Sequence, residues 1–251
     1  MGKQLDRKRS RGSRTHQSAA EIIVVKGSKF QHDRNPPPIK PLNAAQAEYL
    51  AALRRSQQIV ALGPAGAGKT WIAATFAADL FRQGRIAKII LTRPNVPCGR
   101  SLGFFPGTME EKFAPWAVPI AEAIKERIGA GAFEIAVKRG DIEMVPFEVM
   151  RGRTWKNAFV LLDEAQNTSV MEIKTFLTRV GEDCISVVNG DVGQSDIRET
   201  SGLLRMIELI EAHGLPVPVI EFTADDIVRS GLCAMWVRAF EGDAAPRLAA
   251  E

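Results

Sequence analysis

The sequence is poor in the residues that most often build metal centres and covalent cross-links. Its three cysteines, Cys98, Cys184 and Cys233, are scattered and odd in number, which excludes a disulfide framework and a zinc-ligand spacing. The three histidines, His16, His32 and His213, lie in unrelated contexts, so a histidine metal site or a catalytic triad has no support. Long hydrophobic runs are missing as well. Ala158–Leu162 and Cys184–Val188, among the longest, are strand-length and far short of the roughly 18 residues a membrane span requires. No membrane partner is therefore expected. Met1–Ala20 is polar and basic, without the apolar stretch of a signal peptide, and the expected location is cytoplasmic.

What is present is a chain of 251 residues, 45% hydrophobic, long enough to close one good-sized core. The net charge is only +4, yet Met1–Arg14 carries Lys3, Arg7, Lys8, Arg9, Arg11 and Arg14 against Asp6 alone. Such a basic arm either attracts nucleic-acid phosphates or simply solvates a tail. Glu21–Val25 has the composition of a short strand, and Pro36, Pro37, Pro38 and Pro41 impose an extended linker. The expected division is an arm and linker over 1–40 and one domain over 41–251. Within it, apolar runs at Gln58–Leu62, Lys88–Thr92, Ala158–Asp163, Ile185–Asn189 and Val217–Phe222 alternate with helix-like segments. Continuous rather than alternating apolar runs are the mark of strands buried on both faces, so the fold class is α/β with a mostly parallel sheet flanked by helices.

Gly63-Pro64-Ala65-Gly66-Ala67-Gly68-Lys69-Thr70 satisfies G-x-x-x-x-G-K-[ST] between the apolar run Gln58–Leu62 and the helix-forming run Trp71–Phe81. At average residue usage that pattern arises by chance in about one chain in a hundred of this length, before the flanking strand and helix are required. The glycines let backbone N–H groups curl round phosphates, Lys69 reaches the β and γ oxygens, and the Thr70 hydroxyl is a magnesium ligand. Ala158–Leu162 then runs into Asp163 and Glu164, at the strand end where ligands bind in α/β sheets. Asp163 is placed to hold Mg2+ and Glu164 to orient the attacking water. A further run, Val188–Gln194, brings Asp191 and Gln194 to the same sheet edge, and Gln194 is a candidate γ-phosphate sensor. On spacing alone Gln46 reads as a helix-surface residue.

With these residues in view, the sequence resembles the PhoH-like ATPase family and, more distantly, the first motor lobe of superfamily-1 helicases. The resemblance runs from about Pro41 to Phe240 through GPAGAGKT, LTRPNV at Leu91–Val96, LGFFPG at Leu102–Gly107, and the block Met150–Ser169. It continues through FLTRVG at Phe176–Gly181, GDVGQSDI at Gly190–Ile197, SGL at Ser201–Leu203 and DDIVRS at Asp225–Ser230. The resemblance implies a RecA-like core, with the strand ending at Asn189 between the P-loop strand and the Asp163 strand, and ATP with Mg2+ as ligands. It makes Gln46 an adenine contact and supports Gln194 as sensor. It also matches Thr92, Arg93 and Asn95 to a helicase segment that touches single-stranded nucleic acid, with RNA favoured. Departures include Trp155 at a commonly aliphatic position, Cys98 and Arg100 where acids are usual, and Ser230-Gly231 in place of His-Pro.

The expected activity is therefore Mg-dependent ATP hydrolysis coupled to binding or remodelling single-stranded nucleic acid. The alternatives are a regulatory ATP switch acting through a protein partner and a P-loop small-molecule kinase. Glu164 speaks against the kinase, which must exclude water rather than activate it. Arg151 and Arg153 join Arg93 as expected phosphate contacts, with structural ion pairs as the other reading. Because one set of motifs is present, the expected active form is a homo-oligomer, plausibly a six-membered ring. Its neighbouring subunit would supply an arginine to the γ-phosphate, Arg179 or Arg229 being the candidates.

Overall fold

The computed structural model describes residues 36–94, 109–147, 150, 152–194, 200–228 and 231–244. They belong to one compact unit, His32–Glu251. Helix α1 (Ala44–Arg55) leads into β1 (Gln58–Leu62), α2 (Lys69–Arg82) and β2 (Lys88–Thr92). After them come α3 (Met109–Ile128), α4 (Ala130–Arg139), β3 (Ile142–Met144) and β4 (Ala158–Leu162). The remainder is α5 (Val170–Leu177), β5 (Ile185–Gly190), α6 (Gly202–His213), β6 (Val219–Glu221) and α7 (Gly231–Ala244).

The strands form one sheet of six in the order β3-β2-β4-β5-β1-β6, and every pairing is parallel. This is the α/β class expected from the apolar runs. β5 lies between the P-loop strand β1 and the Asp163 strand β4, the arrangement implied by the resemblance to a RecA-like core.

Side chains of each strand alternate between two cores. Ile59, Ala61, Ile89, Leu91, Phe159 and Leu161 face the layer that contains α1, α2 and α3. Val60, Leu62, Ile90, Val160 and Leu162 face α5 and α6. Both strand faces are thus apolar, and the sequence reads as continuous runs. Helix α2 approaches closely because Ala73, Ala74, Ala77 and Ala78 are all at 0% exposure: small side chains let the helix backbone sit on the sheet. Helix α5 starts at a capping box, Ser169 accepting from the Glu172 N–H while the Glu172 carboxylate accepts from Ser169 N–H, which satisfies two otherwise orphan donors.

Three features depart from expectation. Strand β3 has no counterpart among the expected strands; it is a three-residue edge strand with Glu143 at its centre, so no apolar run announces it. The last strand is shorter than Val217–Phe222. Ordered contacts also begin before Pro41, since Ile39 packs on the first core and the Pro37 carbonyl accepts from Arg127 Nη1 at 2.6 Å. Arg127 is held in turn by a two-pronged ion pair to Asp79 of α2. No helix among the described residues is long and apolar enough to cross a membrane.

Phe159 is fully buried in β4 and its ring meets Phe76 of α2 at 6.4 Å. Phe159→Ala should cost about 3–5 kcal/mol of unfolding free energy, read from chemical denaturation; a loss below about 1 kcal/mol would mean this layer is not packed as described.

Candidate nucleotide site

Strand β1 ends at Leu62 and the chain turns through Gly63 to Gly68 before α2 starts at Lys69. Two of these glycines are required by geometry. Gly68, the residue capping α2, has φ +89°, and a Cβ on Gly63 (φ +130°) would stand 2.1 Å from the Phe222 carbonyl oxygen. The cap of α2 makes no side-chain hydrogen bond, so the N–H groups of its first turn point, unclaimed by a cap, toward the cleft where an anion binds best.

The turn is held from outside. Gln46 of α1 donates from Nε2 to the Ala67 carbonyl at 3.0 Å, while its Oε1 accepts from the Leu42 N–H at 2.8 Å. On the other flank Val228 N–H donates to the Gly66 carbonyl at 3.1 Å. Gln46 is 3% exposed, which corrects its reading as a helix-surface residue: it lies under the loop with both ends of its amide engaged by backbone. Lys69 is also buried, its Nζ donating to the Gly63 and Pro64 carbonyls. Burial pushes its pKa down from the usual lysine value, and the charges of Asp191, Asp163 and Glu164 partly offset that.

Across the cleft, Asp163 follows β4 directly. Its Oδ1 accepts from the Thr70 hydroxyl at 2.9 Å. Burial raises the Asp163 pKa and the Glu164 charge raises it further, against the hydrogen bond from Thr70 and the charges of Arg93 and Lys69. Glu164 takes a left-handed backbone conformation, φ +55°, a geometry that costs a residue with a Cβ about 1–2 kcal/mol. Gln166 holds this turn in place: its Nε2 donates to Glu164 Oε2 at 2.6 Å and its Oε1 accepts from the Asp191 N–H at 3.0 Å. A Cβ on Gly190 would meet that same Oε1 at 3.0 Å and Leu203 at 2.4 Å, so only glycine lets the end of β5 come this close.

These elements enclose an open cleft of about 360 Å³. From the glycine-rich turn, Gly63, Ala65, Gly66, Gly68, Lys69, Thr70 and Trp71 line it; Asp163, Glu164 and Gln194 line the facing side. Pro64 and Ala67 are buried behind the turn. Asp191 lines the cleft beside Gln194, as the run Val188–Gln194 led one to expect, whereas spacing alone does not reveal Pro119 and Ile120 of α3 or Val228 after β6, all at the cleft. Nothing in the sequence marks the α3 pair, because that helix arrives from a different part of the chain. Gln166 has a signal, two residues beyond Glu164 in the same polar stretch.

The expected nucleic-acid contacts fare differently. Thr92 is fully buried at the end of β2, its hydroxyl against Met150 Sδ at 3.6 Å, so this side chain presents nothing to a strand; that expectation is corrected. Arg153 forms an ion pair with Glu143, which also binds Lys88 at 2.8 Å, in line with the structural ion pair that was the other reading. Arg93 is close enough for its charge to act on Asp163. Arg179 lies past the end of α5, its carbonyl accepting from Trp155 N–H just before β4, toward the end of the strands opposite the cleft. Asn95, Arg151 and Arg229 lie outside the described residues.

A glycine-rich turn capped by a buried lysine, facing an acidic pair at the end of a parallel strand one place removed in the sheet, defines the class: a P-loop nucleotide-binding domain of the NTPase type. Residues 38–241 match the family described as PhoH-like protein. The chain is 38% identical over 240 residues to Protein PhoH of Escherichia coli (strain K12), covering 92% of this chain and 68% of that one. It is 41% identical over 205 residues to the PhoH-like protein of Bacillus subtilis (strain 168), covering 81% and 64%. The chain belongs to the PhoH family. Among solved structures, similarity extends to the UvsW helicase from bacteriophage T4, with a TM-score of 0.45 and 14% identity over 73% of this chain and 61% of that one. The large terminase of bacteriophage D6E gives a TM-score of 0.45 and 10% identity over 79% and 50%.

The raised Asp163 pKa has a thermodynamic consequence with a definite sign. The folded protein binds this proton more tightly than the unfolded chain, so stability falls as pH rises from the ordinary value of 3.8 through the raised one. Asp163→Asn, which still accepts from Thr70, should raise the melting temperature of the nucleotide-free protein at neutral pH. The gain should fade as pH falls below the ordinary aspartate range. An equal gain at all pH values would remove the buried charge as its cause.

Proposed function

We propose that this protein binds ATP with Mg2+ in the cleft and hydrolyses it, coupling turnover to the binding or remodelling of single-stranded nucleic acid, RNA foremost, in the cytoplasm. The observation that carries the proposal is the convergence of Lys69, the Thr70–Asp163 pair and Glu164 on one cleft at the carboxyl edge of the sheet. Phosphates sit against the N–H groups of Ala65 to Trp71, and Lys69 exchanges its carbonyl partners for the β and γ oxygens. Thr70 and Asp163 suit a hard cation that takes oxygen ligands and keeps several waters. No cluster of three or more His, Cys, Asp or Glu side chains among the described residues competes for it. Held there, such a cation would supply charge neutralisation for the phosphate oxygens. Glu164, fixed by Gln166, orients and polarises the attacking water, and Gln194 reads the γ-phosphate.

Gln46 enters this proposal through its grip on Ala67; as an adenine contact it would have to exchange one of its backbone partners. Strand binding is assigned to Arg93 with Asn95, Arg151 and the basic arm, and Arg153 contributes only if it leaves Glu143. A homo-oligomer, plausibly a hexameric ring, would bring Arg179 or Arg229 of one subunit to the cleft of the next. Arg179 sits beside Trp155, before the start of β4 and away from the cleft of the same chain, so any part it plays at a nucleotide would have to be in trans.

Lys69→Ala should abolish turnover and weaken ATP binding, whereas Glu164→Gln should retain ATP affinity and lower kcat by about 10²–10⁴-fold. Measured with and without single-stranded RNA, single-stranded DNA and duplex, wild-type turnover should rise most with single-stranded RNA. Equal loss of ATP affinity in both variants would remove Glu164 from the hydrolytic step, and indifference to every nucleic acid would favour the regulatory switch.

Mixing inactive Lys69→Ala subunits with Arg179→Ala or Arg229→Ala subunits should restore part of the turnover if the arginine acts in trans. A fully active monomer at low concentration would refute the shared site.

A further inference from the structure

Below the cleft runs a buried polar path that the proposed reaction leaves without a role. Tyr49 is the one tyrosine of the chain, fully buried in α1, and its hydroxyl stands 3.2 Å from Asn189 Oδ1 at the end of β5. Asn189 is fully buried too. Its Nδ2 stands 3.5 Å from Thr70 Oγ1, whose own proton goes to Asp163 Oδ1. Three elements distant in sequence, α1, β5 and the start of α2, are therefore joined in one relay of contacts through the Asn189 amide.

The chemistry of the donors gives this path a direction. With the Tyr49 proton given to the amide oxygen, the Asn189 NH2 group faces Thr70; a flipped amide could donate to the phenol oxygen, but the Tyr49 proton would then have no partner among the described residues. With the NH2 group toward Thr70, the hydroxyl must accept there and spend its proton on Asp163. One lone pair of Oγ1 is then left over, toward the cleft. The opposite amide orientation would put Oδ1 against Thr70, compete with Asp163 for the proton and turn the free lone pair elsewhere. Tyr49 favours the first orientation at the buried end of the amide, as the Thr70–Asp163 bond does at the other. Tyr49 is held firmly: its ring meets Phe222 edge-on at 5.8 Å. Burial and the charge of Asp163 keep its pKa far above the usual phenol value, so it stays a donor throughout the working pH range.

We propose that Tyr49 and Asn189 are positioning residues for the divalent cation, orienting the Thr70 hydroxyl so that a lone pair faces the metal that accompanies the nucleotide. This rests on the reading of the cleft as a metal–nucleotide site. Neither residue touches metal or phosphate, and both act through Thr70. They should therefore matter to the metal's contribution to nucleotide binding and not to the nucleotide's own.

The test is calorimetric titration of a non-hydrolysable ATP analogue, with Mg2+ and with a chelator, into wild type, Tyr49→Phe and Asn189→Leu. The ratio of the two dissociation constants measures the metal's contribution. Each variant should shrink that ratio about 3- to 10-fold, the loss expected for one hydrogen bond, with chelated affinity within about twofold of wild type. Tyr49→Phe removes a single oxygen and should fold, so it decides the outcome by itself; Asn189→Leu, inside the sheet, puts more of the fold at risk and serves as support. The effect should vanish in a Thr70→Val background, where no hydroxyl remains to orient. A wild-type ratio in folded Tyr49→Phe, an equal loss with and without metal, or an undiminished effect in Thr70→Val would each overturn the proposal. No metal dependence in wild type itself would overturn the metal-site reading, and this inference with it.

Discussion

The structure turns on negative charge placed at a buried sheet edge. Asp163 stands at the end of a fully buried strand, adjacent to Glu164, and its pKa rises for both reasons. Removing such a group from water is costly unless something nearby answers its charge. Here the answer comes from Thr70 and Lys69 at the start of α2 and from Arg93 after β2. Each of those residues sits where it does because a strand delivers it, so the order β2-β4-β5-β1 is also the order in which the charges are set against one another. The Asp163 pKa stays raised in spite of them, so the polar edge is compensated only in part.

That dependence explains the backbone irregularities. Gly63 must lie against the Phe222 carbonyl, Gly190 against Gln166, and Gly202 has room for no Cβ, which would stand 2.4 Å from the Ser169 carbonyl. Ser169 and Ser201 form an isolated antiparallel bridge there, and the Ser201 hydroxyl donates to the Gln166 carbonyl at 2.9 Å. The turn after β4 is thereby fastened to the start of α6. It is this fastening that sustains the left-handed Glu164, since an unfavourable backbone conformation persists only when its surroundings over-determine it.

Much of this was legible in the sequence, for physical reasons that also mark the limit. Strands buried on both faces have to be apolar throughout, so β1, β2, β4 and β5 announce themselves, whereas β3 needs only Ile142 and a side chain that pairs with Lys88 and Arg153. A glycine-rich turn and an acidic pair at a strand end demand fixed residue types at short spacing, so Gly63 to Thr70 and Asp163-Glu164 could be read directly as the two walls of the cleft. Contacts between distant segments could not. Burial turns Gln46 from a surface amide into a brace of the turn, and it withdraws Thr92 from the surface that a neighbouring arginine reaches. Tyr49 carries no pattern at all; only the packing of α1 over the end of β5 gives its hydroxyl a partner.

The two walls of the cleft are secured unequally. The glycine-rich turn is held by Gln46, by Val228 and by the two carbonyls that Lys69 grips, all of them contacts to buried or backbone groups. On the facing wall, the turn bearing Gln194 has the Asp191 N–H bonded to Gln166, while its other described bonds are its own: Gln194 N–H to the Asp191 carbonyl and Gly193 N–H to the Asp191 carboxylate. The exposed Asp191–Gln194 turn therefore hangs on Gln166, the same side chain that fixes Glu164. A displacement of that turn cannot leave the Gln166 amide undisturbed, because its two ends are bonded to the two groups. In this fold the placement of the turn bearing Gln194 and the geometry of the Glu164 carboxylate are set by one buried amide.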